Sequence, residues 1–171
     1  MPHITKIEQA DIPEVVTLVN SAYRGETSKQ GWTSESHLLE GIRIDEAEMT
    51  GYFHRPEITL LKYINDEGQI VGFVYLEQVN NKRLYLGMLT VKPTLQASGI
   101  GRQLLAAGDD LANKLDFEAV KISVITTRLE LIAWYERRGY VATGETMPLL
   151  TATSIAKEPV TLMVMEKAVK K

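Results

Sequence analysis

The sequence predicts an α/β domain built on a mixed, mostly antiparallel central sheet of about seven strands flanked by about four helices. Three observations predict it. The chain alternates between the two-residue period of strands and the 3.6-residue period of helices. Three consecutive strand patterns between Ile58 and Val91 are joined by connections too short for anything but antiparallel pairing. The later strands are separated by helical patterns, giving the order β-α-α-β-β-β-α-β-α-β-β, which fits neither a Rossmann alternation nor an all-β sandwich.

Taken in order, His3 to Ile7 reads as a short strand. Asp11 opens a helix, with Glu14 at the spacing of a reciprocal cap, and Pro13 is tolerated in the first turn because its missing N–H would have had no helical partner. Ile12, Val15, Val16, Val19 and Tyr23 form the apolar stripe of that helix. After a polar, glycine-bearing loop from Arg24 to Trp32, Thr33 and Glu35 open a second helix that carries Leu38, Leu39 and Ile42 inward. Asp45 with Glu48 repeats the capping pattern ahead of a short turn or two ending near Gly51. Strands at Ile58 to Ile64, Gln69 to Glu77 and Arg83 to Val91 are linked by turns at Asn65-Asp66-Glu67-Gly68 and Asn80-Asn81. Ile100, Leu104, Leu105, Gly108, Leu111 and Leu115 mark a long helix, Ala119 to Ile125 a strand, and Glu130 to Arg138 a shorter helix stopped by Gly139. Tyr140 to Glu145 and Val160 to Glu166 are the last strands, separated by a loop containing Pro148 and Pro159.

Composition narrows the function. At 171 residues, 44% apolar and 24% charged, residues 1–171 suit a single domain with a full core. The net charge of −3 and the mixing of signs leave no concentrated positive field for nucleic acid; only Lys167 with Lys170-Lys171 is locally basic. The absence of cysteine excludes disulfides, thiolate metal sites and a cysteine nucleophile. His3, His37 and His54 lie far apart with no second ligand type at helical spacing, so no metal site is expected. Met1-Pro2-His3 lacks the basic and apolar runs of a leader, and no uncharged apolar segment approaches the roughly 18 residues that span a bilayer. A cytoplasmic protein without a membrane partner is expected.

The most informative stretch runs from Leu89 to Arg102, where a strand ends, a turn containing Gln96, Ala97, Ser98, Gly99 and Gly101 follows, and a helix begins at Ile100. A helix start carries roughly half a positive charge and about four N–H groups without helical partners. Glycines there let a phosphate group approach those donors, and Arg102 and the Ser98 hydroxyl add side-chain donors. The same glycine pair also suits tight packing of a helix on a sheet. The spacing is too short for a Walker loop, no G-K-[ST] triplet is present, and the third glycine of a dinucleotide fingerprint is missing. Upstream, Gly87 interrupts an apolar strand; such a glycine marks a bulge or close approach that would splay this strand from Ala119 to Ile125, or else relieves crowding.

The pattern Q-x-x-G-x-G after a strand ending Leu-x-Val resembles the pyrophosphate-binding signature of the GNAT superfamily of N-acetyltransferases. Downstream, Glu130-Leu131-Ile132-Ala133-Trp134-Tyr135-Glu136-Arg137-Arg138-Gly139-Tyr140 is similar to that family's tyrosine-bearing helix, and the resemblance covers Ile4 to Glu166. It implies acetyl-CoA as cofactor and a small-molecule amine as acceptor, with direct transfer and no covalent enzyme intermediate. It further implies that backbone groups of Leu89 and Val91 pair with the pantetheine arm, that the Leu89 N–H donates to the thioester carbonyl as charge develops there, and that Gln96 to Arg102 hold the pyrophosphate. Tyr135 takes the place of the tyrosine that protonates the departing thiolate; as an aromatic beside Trp134 it also suits the core.

Two positions depart from the family pattern. Arg128 stands where many relatives have Asn; its cation has a phosphate, the adenosine or water within its repertoire. Tyr85 stands where some relatives carry a glutamate base, which an acceptor ammonium of pKa about 10 requires. Glu77 or Glu26, acting through a water, are the candidate bases, each also readable as a solvated surface carboxylate. The acceptor is expected between the loop joining the first two helices and the loop before the last strand, with Arg24, Glu26, Trp32, Arg43 and Tyr85 as candidate contacts. Without an evident base, a non-catalytic acyl-CoA-binding or sensing module is the alternative, and a nucleotide-phosphate protein sharing only the glycine turn is a third reading. Exposed edges of such a sheet often pair in homodimers.

Overall fold

The computed structural model describes residues 2–23, 39–41, 43–96, 98–148, 154–156 and 161–169. Strand β1 (His3–Lys6) leads through a 3-10 turn at Gln9–Asp11 into helix α1 (Ile12–Tyr23). The cap differs from expectation. Asp11 turns back, accepting the Glu8 N–H at 2.8 Å, while Glu14 stays exposed. Lys62, reaching across from the sheet at 2.6 Å, fixes Asp11 in that orientation, a tertiary contact that local spacing cannot reveal.

The helix expected from Thr33 through Ile42 is also corrected: Leu39–Gly41 form a short strand, β2. Residues 33–38 and Ile42 lie outside the described residues. Three residues are too few to distinguish the two periods, and here cross-strand pairing to a segment over a hundred positions away decides the outcome. Helix α2 (Glu46–Phe53) starts as predicted, with Asp45 accepting the Glu48 N–H at 2.7 Å, and continues past Gly51.

The meander β3 (Ile58–Ile64), β4 (Ile70–Val79) and β5 (Arg83–Val91) follows, then helix α3 (Ile100–Lys114), strand β6 (Ala119–Ile125) and helix α4 (Leu129–Glu136). Strands β7 (Val141–Pro148), β8 (Ser154–Ala156) and β9 (Thr161–Ala168) complete the described chain. The seven-stranded sheet has the order β1-β3-β4-β5-β6-β9-β7, and β2 pairs with β8 in a separate two-stranded sheet. Every neighbouring pair is antiparallel except β5 with β6. The mixed α/β fold with four described α-helices is the predicted one.

The sheet is apolar on both faces. On one, Phe73 and Tyr75 of β4 join Val15 and Val19 of α1 and Met49 of α2; on the other, Val74 and Leu76 join Leu104 of α3 and Ile122 of β6. Double-sided burial explains why β4 reads as a nearly continuous apolar run instead of an alternating one. Among the described residues no helix is long and apolar enough to cross a membrane.

Asp11 ties α1 to β3, and its ionisation should be visible in stability. Burial pushes its carboxyl up, but the Glu8 N–H and Lys62 together outweigh this and hold it below the ordinary aspartate value of 3.8. A depressed folded value means that the contribution is present above pH 3.8 and is lost as pH falls through the folded value. Asp11→Ala should therefore cost about 2 kcal/mol at neutral pH, as expected for charge-assisted hydrogen bonds in a half-buried site. In urea melts, the gap between the two proteins should close under acid; a gap that stays constant with pH would contradict this role.

Candidate functional site

The site begins where two strands separate. Parallel pairing of β5 with β6 consists of Arg83 with Ala119, Leu84 with Val120 and Tyr85 with Lys121, and ends there. Beyond it β6 pairs only with β9, through to Ile125, while β5 runs on to Val91 against β4. The expected bulge is present one residue past Gly87: the register against β4 slips between Thr90 and Gly87, and Met88 adopts a left-handed φ of 46°. An extra residue in one strand bends it and increases its twist, which turns β5 away from β6.

Gly87 has a further role. A Cβ there would lie 2.9 Å from Cε1 of Tyr85, whose ring crosses the bare backbone and brings its hydroxyl within 2.8 Å of Ser123 Oγ. This hydroxyl pair bridges β5 and β6 just where their ladder stops.

At the far end of β5, a 3-10 turn at Pro93–Leu95 leads into α3. Gln96 Nε2 donates to the Val91 carbonyl at 3.2 Å, and the Ser98 hydroxyl donates to the Leu95 carbonyl, so Ser98 closes the turn and its proton is not directed outward. Gly99 is the N-cap, at φ 90°, and no side chain caps the helix. The leading N–H groups of α3, from Ile100 to Arg102, therefore have no helical acceptor, and among the described residues no side chain caps them. Tight packing does not explain the glycines. A Cβ at Gly99 would meet only Arg102 Nη2, at 3.5 Å, and one at Gly101 would touch Trp134 at an ordinary 3.5 Å. Gly99 is required by its backbone conformation. Ile100 points into the core, and Ala97 lies outside the described residues.

A cavity of about 540 Å³ joins these parts. Leu89 and Val91 line it from β5, Gln96, Gly99, Gly101 and Arg102 from the turn, and α4 with its C-terminal turn supplies a wall that includes Trp134, Tyr135, Arg137 and Arg138. Tyr135 is 7% exposed and packed edge-on against Trp134 and Tyr140, with centroids at 5.1 and 5.5 Å. Arg138 stacks on the Trp134 ring at 4.2 Å and donates to the Trp134 carbonyl at 3.0 Å. Burial, with Arg102 and Arg137 nearby, pulls its guanidinium below the ordinary arginine value. Sequence reasoning missed Trp134, Arg137 and Arg138 as site residues; their one available signal was the spacing of Trp134 and Arg138, four apart on one helix face.

Other expected residues lie elsewhere. Arg128, at the N-cap of α4, is buried at 8% exposure, which removes the option that it simply points to water. Glu77 pairs in register with Tyr85, accepts the Tyr75 hydroxyl at 2.6 Å and lies 3.5 Å from Arg55. Burial and the Glu77 carboxylate raise the Tyr75 phenol well above its usual value, so that proton stays on the tyrosine. Arg24, Glu26 and Trp32 fall outside the described residues. No group of His, Asp and Glu able to hold a metal occurs among the described residues.

Comparison with known proteins agrees with this geometry. Residues 28–148 match the family described as an acetyltransferase (GNAT) domain. The chain belongs to the GNAT acetyltransferases. Similar family members include N-alpha-acetyltransferase 30 of Dictyostelium discoideum, 28% identical over 50% of this chain and 46% of that protein. N-acetyltransferase family 8 member 7 of Mus musculus is 25% identical over 67% of this chain and 53% of its own length. The chain thus spans about half the length of these two relatives. Among solved GNAT structures, the ribosomal-protein-S18-alanine N-acetyltransferase from Escherichia coli superposes with a TM-score of 0.74 at 16% identity, covering 100% of this chain and 96% of that one. A spermidine N-acetyltransferase chimera from Vibrio cholerae gives 0.71 at 16% identity, covering 98% and 95%. At these identities the shared property is the fold.

The strand split in this GNAT chain yields a test. Gly87→Ala should displace the Tyr85 ring, break its bond to Ser123 and cost about 1–2 kcal/mol, the usual range for an overpacked site. The same substitution in a Tyr85→Ala background should cost far less, since the clashing ring is gone. Equal costs in the two backgrounds, measured by chemical denaturation, would show that Tyr85 is not what Gly87 accommodates.

Proposed function

We propose that this chain transfers the acetyl group of acetyl-CoA directly to a primary amine of a small-molecule acceptor, as one domain working without a metal. The observation that carries this reading is the uncapped start of α3 at a left-handed Gly99, opening onto one cavity with Leu89 and Tyr135. The residues present fit the cofactor: partnerless N–H groups and three arginines suit phosphate groups, and the apolar wall of Leu89, Val91 and Leu131 suits the pantetheine arm.

When bound, acetyl-CoA supplies an acetyl group activated as a thioester. In the proposed arrangement the amides of Gly99 to Arg102 grip the diphosphate, and β5 beyond the bulge aligns the arm in the gap that β6 leaves. The Leu89 N–H donates to the thioester carbonyl oxygen, and the Tyr135 phenol gives its proton to the departing sulfur. The acceptor enters from the α1 and α2 side of the split, next to Tyr85. Of the two carboxylates proposed as base, Glu77 is the described one, and its register with Tyr85 supports a proton path through a water to that side. Family members named for spermidine and for an alanine of a ribosomal protein support an amine acceptor in general, small or peptidic.

Incubation with acetyl-CoA and pooled primary amines should release free coenzyme A thiol. Stabilisation by acetyl-CoA without release for any amine would favour a binding or sensing module instead. Tyr135→Phe should lower kcat by about a hundredfold or more while the acetyl-CoA Kd moves by less than about threefold. An equal loss of turnover and affinity would remove Tyr135 from its assigned role.

A further inference from the structure

The diphosphate alone does not account for the positive charge in this cavity. Arg102, Arg137 and Arg138 all line it, in addition to the partial charge of the α3 start. None of the three forms an ion pair with a carboxylate among the described residues. The acidic lining residue, Glu130, lies two helical turns before Arg137, roughly 10 Å along the axis of α4. Arg138 is half-buried with the exposed Arg102 and Arg137 close enough to repel it, a repulsion that an anion among the three would offset.

Arg138 is the most specific member. Its stack on Trp134 and its bond from Nη1 to the Trp134 carbonyl fix the guanidinium plane at the cavity wall, while Nε is sealed inside. A fixed fork of terminal N–H groups matches phosphate oxygens. Trp134 also touches the position of Gly101, which places this fork beside the helix start instead of at the acyl end of the cavity. Across from it, the Arg102 guanidinium lies back over Gly99, at the mouth of the turn.

We infer that Arg137 and Arg138, together with Arg102, form a second phosphate subsite that takes the 3′-phosphate monoester of coenzyme A and so distinguishes it from dephospho-CoA. This rests on the acetyl-CoA reading and extends it. A phosphate monoester carries close to two negative charges at neutral pH and three acceptor oxygens, enough to engage the terminal N–H groups of the arginines and to neutralise the cluster.

Calorimetric titration of the full chain with CoA, dephospho-CoA and adenosine 3′,5′-bisphosphate tests the subsite. CoA should bind at least about tenfold more tightly than dephospho-CoA, and the bisphosphate should compete for the site without any pantetheine arm. Arg137→Ala, on an exposed position, and Arg138→Gln should each weaken CoA about tenfold and leave dephospho-CoA nearly unchanged, with Arg137→Lys restoring part of the loss. Equal wild-type affinity for CoA and dephospho-CoA overturns the subsite while leaving the cofactor reading intact. So does a preference for CoA that survives both substitutions, because the phosphate then sits elsewhere. Failure of both CoA and dephospho-CoA to bind overturns the cofactor reading itself, and the subsite with it. Should Arg138→Gln unfold, as its melting curve would reveal, Arg137→Ala alone decides.

Discussion

Everything at this site depends on the parallel pairing of β5 and β6 stopping after Tyr85 and Lys121. A continuous ladder would close the sheet and leave no place beside Leu89 for another extended chain. Two local features enforce the stop: a bulge with left-handed Met88, and a glycine at position 87 that lets the Tyr85 ring cross the backbone. β6 meanwhile keeps its opposite edge paired to β9 along its whole length. The gap that opens beside β5 is where the proposed reading lays the pantetheine arm.

The second determinant is electrostatic. The same strand delivers the chain into a helix whose first turn has no cap, and the helix beside it ends in two arginines. Field and donors thus converge on one end of the cavity, while side chains that are apolar or aromatic, apart from Glu130, line the remainder. A ligand that is anionic at one end and apolar along its length matches that gradient, and the proposed acetyl-CoA orientation follows from it, with the thioester toward Leu89 and Tyr135.

Much of this was legible in the chain itself. β3, β5 and β6 begin and end at the residues the pattern indicates, because turn-forming residues or a helix start punctuate them. The glycine turn was legible because Gly99 and Gly101 lie between a strand pattern and a helix pattern. What local spacing could not reveal was set by distant contacts. Leu39–Gly41 become a strand only through pairing with Ser154–Ala156, and Asp11 turns toward Glu8 under the pull of Lys62. Arg137 and Arg138 carried no role from spacing alone; the fold stacks Arg138 on Trp134 with Arg102 and Arg137 nearby. Arg128, readable either way, is buried.

A crystal structure of the chain grown with acetyl-CoA is the most direct test. The account predicts the diphosphate on the backbone N–H groups of Gly99 to Arg102, with the pantetheine arm alongside β5 between Leu89 and Val91. Acetyl-CoA bound at another place, or a helix start sealed by the protein's own side chains while the cofactor is saturating, would contradict it.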